Sequence, residues 1–174
     1  MLLRGLKRFA RLSGEDRLQF LEAYVALGTV DVALRLRGFQ KVVGDQALSS
    51  PIASLASAQE IDHARRYAHW LEIASRHHIV RAQCLHCSLA LWRRLRKAHM
   101  PGELRIGVRK TRGELKAHAW VEIDGQPVFD RPEAVAAFIP LRQADGNFPT
   151  WARDNGLATD RGTIRAGTQG LRWE

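Results

Sequence analysis

Cysteine is scarce: residues 84 and 87 are the only two in 174. Lying three positions apart, they cannot build a disulfide framework, which excludes a small secreted scaffold held by bridges. They are therefore free, catalytic or metal-bound, and the chain is expected in the cytoplasm. No apolar run approaches the roughly 18 residues that span a bilayer, so no membrane association is expected. The basic stretch Met1 to Arg11 is not followed by a long apolar core with a small-residue cleavage site, so it does not read as a signal peptide. Acidic residues are in deficit, 18 against 27 Lys and Arg, leaving a net charge of +9. Such a charge suits nucleic acid, an acidic surface or an acidic protein. Neither an RNP-type aromatic string nor a zinc-finger spacing accompanies it, so nucleic acid is not expected and an acidic peptide or protein partner is. The chain contains no internal repeat.

The pattern along the chain predicts an α+β protein: N-terminal helices packed on a small antiparallel sheet. One domain is expected at this length, with a helical region over 1–56, a core over 57–140 and an irregular segment over 141–174. Ser13 serves as N-cap of a first helix, with Glu15 and Asp16 in its first turn. Leu18, Leu21, Val25, Val32 and Leu36 recur at near-helical spacing, and Gly38 after Arg35 and Arg37 is a stop. Residues 44–56, rich in Ser, Ala and Gly, read as a linker. Ser57 and Glu60 form a capping box for a second helix ending near His77–His78, with Ile61, Ala64, Ala68 and Leu71 on one face. A third helix runs from about Cys84 to Ala98. Leu104, Ile106 and Val108 then alternate with Arg105, Gly107 and Arg109 as in a strand. Residues 110–116 read as a polar loop. Two further strands, Ala117–Ile123 and Gln126–Asp130, flank the hairpin signal Asp124–Gly125.

Cys84 sits where a helix begins, and the unpaired N–H groups there favour a thiolate, the nucleophilic form. As a lone feature it is more often a small core residue. His118 lies in the strand Lys116-Ala117-His118-Ala119-Trp120-Val121-Glu122, where a histidine is usually a satisfied core side chain. The strand leads through a hairpin to Asp130. A Cys at a helix start, a His on one strand and an Asp on the next is the order of a cysteine triad. Directly opposed strand residues have Cβ atoms about 5 Å apart. Asp130 meets Nδ1 of His118 only if Ile123-Asp124-Gly125 form a three-residue loop with a G1 bulge, pairing His118 with Asp130. Trp120 shares the strand face of His118. Gln83 is a candidate oxyanion donor through its side chain, beside the backbone N–H of Cys84.

Cys84-Leu85-His86-Cys87-Ser88-Leu89-Ala90-Leu91-Trp92-Arg93-Arg94-Leu95, then Arg105-Ile106-Gly107-Val108, then Ala117-His118-Ala119-Trp120-Val121-Glu122 resemble the leader peptidase of lasso-peptide biosynthesis, the B protein, a transglutaminase-like cysteine peptidase. The resemblance covers roughly residues 13–130 and is strongest from Cys84 to Asp130. It implies a transglutaminase-like or papain-like core with Cys84 as nucleophile, His118 as base and Asp130 orienting it. Cys87 is not part of that pattern. The implied reaction hydrolyses one peptide bond between the leader and core of a ribosomally made precursor. The resemblance is to the stand-alone protease half, whose partners would be the precursor's leader, a separate small leader-recognition protein and an ATP-dependent lasso cyclase. Neither cofactor nor metal is implied.

Four other readings compete, one of them a non-catalytic binding module that kept the fold and lost the chemistry, against which the intact Cys84, His118 and Asp130 argue. Cys84-Leu85-His86-Cys87 is a C-x-x-C, the form of a thiol oxidoreductase, but only helical pattern precedes it where a βαβ unit belongs. Zinc has ligands of the right types in Cys84, Cys87, His86 and His118, without a second C-x-x-C. A transglutaminase-like acyl transferase would use the same triad. His63, His69, His77, His78 and His99 lack i, i+4 pairing and read as surface or packing residues.

Overall fold

A computed structural model of the chain describes residue 9 and residues 12–47, 55–79, 82–111, 114–140 and 171–173. Three helices come first: α1 (Gly14–Ala47), α2 (Ala58–His77) and α3 (Cys84–Lys97). They are followed by β1 (Glu103–Thr111), β2 (Glu114–Ile123), β3 (Gln126–Pro127), a short α4 (Pro132–Ala136), β4 (Ile139–Pro140) and β5 (Leu171–Trp173). The antiparallel sheet runs β3-β2-β1-β4, and β5 joins β2 in parallel. This is the expected α+β arrangement.

The helix starts follow their capping chemistry. Asp16 N–H donates to Ser13 Oγ at 3.1 Å. Ser57 Oγ accepts from Glu60 N–H while Ser57 N–H donates to Glu60 Oε2, so two otherwise orphaned donors are satisfied reciprocally. Gly38 takes φ 74° and ψ 162° and breaks α1 into two helical segments. The helix resumes beyond it to Ala47, so the expected linker over 44–56 begins too early; residues 48–54 lie outside the described residues.

Helix α1 carries apolar residues on opposite sides. Ala23, Leu27 and Val30 are buried against the other helices. The stripe read from the sequence faces solvent instead, with Leu18 67% and Leu36 80% exposed. Spacing detects a helical period but cannot say which of two apolar stripes meets the core. Helices α2 and α3 bury Ala64, Ala68, Leu71, Leu89, Leu91 and Leu95 in one cluster with Leu104, Ile106, Ala119, Val121 and Ile123 of the sheet. Each fully buried leucine contributes about 1.5–3 kcal/mol.

Two strand boundaries differ from expectation. β1 and β2 pair from Glu103↔Glu122 to Thr111↔Glu114, so most of the supposed loop over 110–116 is ladder. Backbone pairing is satisfied there whatever the polarity of side chains beyond the core. The second hairpin also departs. Ile123 pairs with Gln126, leaving a two-residue turn in which Asp124 and Gly125 have φ of 50° and 73°. Positive φ at both positions is the type I′ turn, whose twist matches the strands, and it displaces the three-residue bulged loop. β3 ends after Pro127, and the chain bends over Val128–Asp130. Position 130 is therefore not governed by strand alternation. Beyond Arg131, α4 and β4 complete the expected core, and β5 is a regular piece in the segment over 141–174 where irregular chain was expected; residues 141–170 lie outside the described residues. No helix among the described residues is long and apolar enough to cross a membrane.

Candidate active site

Helix α3 begins with Gln83 as extended N-cap, φ −100° and ψ 175°, and Cys84 as its first residue. Its first turn holds no acidic side chain, so the positive end of the helix is not neutralised from within. Cys84 is a free, half-buried thiol at that end. Gln83 is exposed immediately before it.

The position of this helix against β2 comes from an open strand edge. On the side of β2 away from β1, β5 pairs with Leu115–Ala117 and β3 with Glu122–Ile123. Among the described residues no strand lies beside 118–121 there. Val121 O accepts from Val128 N–H, and Ala119 O accepts from the buried Ser88 hydroxyl at 2.7 Å. Ser88 thus takes the place of a strand neighbour. It lies one turn after Cys84, and Ala119 lies one residue after His118, so a single bond brings the thiol helix and the histidine strand together.

His118 Nε2 and Asp130 Oδ1 are 2.9 Å apart, linking the bend after β3 to β2. The expected nitrogen is corrected: Nε2, not Nδ1, meets the carboxylate. Nδ1 is buried and forms no hydrogen bond of full geometry, and the Cys84 thiol acts on the same ring. Burial alone would lower the imidazole's pKa. The hydrogen bonds to Asp130 and Cys84, with the charges of both, outweigh burial and push it up to about 10. The raised value favours the protonated ring, in which both nitrogens carry a hydrogen.

The imidazole lies on the sheet face opposite the helical core. Trp120 stacks near it, centroids 6.0 Å apart and planes 15° off parallel, and Phe138 tilts against it at 5.3 Å. Trp120 Nε1–H donates to Glu122 Oε1, and Glu122 Oε2 accepts from Arg105, so the indole is itself oriented. Gly107 stands opposite His118 in β1. A Cβ there would lie 2.8 Å from Phe138 and 2.9 Å from Trp120, so only glycine lets these rings close under the histidine.

The other sequence candidates fall away from this centre or play a lesser part. Asp124 accepts from Ala56 N–H at the hairpin turn. Burial pushes the Cys87 thiol up to about 11, with Ser75 opposing, so it is a poor nucleophile at neutral pH. Among the described residues no cluster of His, Cys, Asp and Glu is arranged to hold a metal ion. His78 packs on Tyr24 and bonds its carbonyl, a structural role. Sequence reading missed Ser88 as the link to β2, Phe138 beneath the imidazole, and Asp31. Asp31 had one visible signal, its i, i+4 spacing to Arg35, with which it pairs at 2.7 Å.

Residues 26–143 match the family model described as the transglutaminase-like superfamily. No curated protein and no solved structure matches the chain.

Proposed function

We propose, from the premise that the chain belongs to the transglutaminase-like superfamily, that it is a cysteine peptidase that removes the leader from a lasso-peptide precursor. The observation carrying this reading is the His118–Asp130 contact of 2.9 Å, with Cys84 at the helix start acting on the same imidazole. The substrate class rests on the resemblance of the Cys84–Leu95, Arg105–Val108 and Ala117–Glu122 segments.

Each residue then has a role. The Cys84 sulfur, as thiolate, attacks the scissile carbonyl and forms a C–S bond. The growing oxyanion meets the backbone N–H of Cys84, and the side chain of Gln83 is a second candidate donor. Protonated His118 gives its Nδ1 proton to the leaving nitrogen, the C–N bond breaks, and the core departs with a free amine. Water then attacks the thioester while His118 takes its proton, the C–S bond breaks, and the leader leaves as a carboxylic acid. Asp130 on Nε2 holds the ring in the orientation that presents Nδ1 to sulfur, and stabilises the imidazolium. The freed amine is what an ATP-dependent cyclase would join to an acidic side chain.

Incubation with a precursor peptide, with and without a separate leader-recognition protein, tests the reading. Expected are two fragments gaining one water in total, faster with the recognition protein because it raises effective concentration. Cys84→Ala should yield none, while Cys87→Ala should retain most activity. Ammonia loss with amide crosslinking would identify an acyl transferase instead. Equal loss in both cysteine variants, each folded, would favour the oxidoreductase reading.

A further inference from the structure

His86 and Asp31 take no part in the chemistry above, yet both are largely buried beside the nucleophile's helix start. Their side chains are 13% and 11% exposed. His86 Nδ1 accepts the backbone N–H of Gln83 at 3.3 Å. Its Nε2 is 3.5 Å from Asp31 Oδ1, and Asp31 Oδ2 receives Arg35 Nε–H at 2.7 Å. An acceptor at Nδ1 requires the proton on Nε2, the tautomer that points an N–H at Asp31. A chain of contacts thus runs from α1 through Asp31 and His86 to the N-cap peptide of α3. The next peptide N–H along the backbone belongs to Cys84.

We infer that His86, held by Asp31, is a positioning residue that sets the N-cap of α3 and through it the Cys84 N–H that receives the oxyanion. The Gln83 N–H precedes the intrahelical ladder, so its acceptor must be a side chain. In a capping box that acceptor is the side chain at the third helical position, as Glu60 is for Ser57. Here it is His86 at the same position, anchored from another helix by Asp31. This inference rests on the peptidase reading for its consequence in rate, but not for the geometry it asserts.

The obstacle to a second protonation is geometric. A proton on Nδ1 would face the Gln83 N–H donor-to-donor and break the cap. Burial lowers the imidazole's pKa against the opposing influence of Asp31. The charged and titratable groups facing it are Asp31 and Arg35 from α1 and His78 after α2.

The experiment compares His86→Ala and His86→Asn in the full chain, the asparagine amide oxygen standing near the place of Nδ1. Amide hydrogen exchange is followed at Gln83 and Cys84, and at Leu89–Leu95 as a check that the helix is intact. In His86→Ala, exchange at Gln83 should accelerate at least about tenfold with Leu89–Leu95 unchanged, and kcat should fall about 10- to 100-fold with KM within about twofold. His86→Asn should restore most of both. Asp31→Ala should show a weaker version of the alanine phenotype. Unchanged Gln83 exchange in His86→Ala overturns the inference, as does an asparagine variant no better than alanine. If His86→Ala fails to fold, the asparagine and Asp31→Ala comparison still decides. Absence of cleavage by the unaltered chain would instead count against the peptidase reading and leave the exchange result to judge the positioning.

Discussion

The two faces of the sheet are built for different ends. Toward the helices, Leu104, Ile106, Ala119, Val121 and Ile123 join Leu27, Leu71 and Leu89 in the main core. On the other face, Trp120, Val135 and Phe138 form a separate small cluster under His118. The large side spreads its packing over many residues, mostly aliphatic with Tyr67 and Trp92 among them. The small side has three buried members and one imidazole, so every member bears on where that ring points. The contrast teaches that the main core and the setting of the His118 ring are held by different residues on the same strand, alternating along β2.

The largest effects on cleavage should come from the site face. His118→Ala and Asp130→Asn are expected to lower cleavage by about 10³- to 10⁴-fold while both variants remain folded. A collapse of the fold in either variant would erase the distinction between the faces. Leu89→Ala, 0% exposed in the main core, should do the reverse. It should cost about 2–5 kcal/mol in denaturant unfolding, with the specific activity of the remaining folded protein close to normal.

Gly107→Ala sharpens the comparison further, because it intrudes on the small cluster from β1. Overpacking there should cost about 1–3 kcal/mol, and the displaced Phe138 and Trp120 should lower kcat more than Leu89→Ala does. Tryptophan fluorescence and kinetics read both. Loss of stability with kcat untouched would mean that the rings do not position His118.

A titration separates the faces without removing an apolar side chain. The imidazole's pKa is about 10 in the folded chain against an ordinary 6.5. A raised value means that protonation favours the folded state. This contribution is fully present below 6.5, declines above it and is lost as pH rises through about 10. Asp130→Asn should narrow that window from its alkaline end. Denaturant midpoints of both proteins across this range should converge at high pH, and midpoints that stay parallel would contradict the assignment. The smallest effect belongs to the outer stripe of α1: Leu36→Gln, at a position 80% exposed, should shift stability by no more than about 0.5 kcal/mol.

Much of the site was legible because helix starts and strand order are local. The capping box at Ser57, the start of α3 at Cys84 and the strand carrying His118 all follow from neighbours within a few residues. The hairpin shows where locality ends. Asp124–Gly125 announces a tight turn, but choosing between two and three residues depends on which twist the paired strands accept. The early end of β3 then frees Asp130 from the alternation that a longer ladder would impose. The wrong ring nitrogen at Asp130 has the same source, since that choice depends on the approach of α3 from the opposite side.

By itself the sequence determined the order of helices before sheet, the caps at Ser13 and Ser57, a tight turn at Asp124–Gly125 and which residues are candidates for thiol chemistry. These depend on backbone preferences and on spacings within one helical turn or one strand. Only the tertiary structure decided which stripe of α1 is buried, that Ser88 closes the open edge of β2 at Ala119, and that Asp31 reaches His86. It also decided that Nε2 of His118 meets Asp130. Each of these joins groups from separate elements, and packing selects among several orientations that local spacing leaves equally allowed.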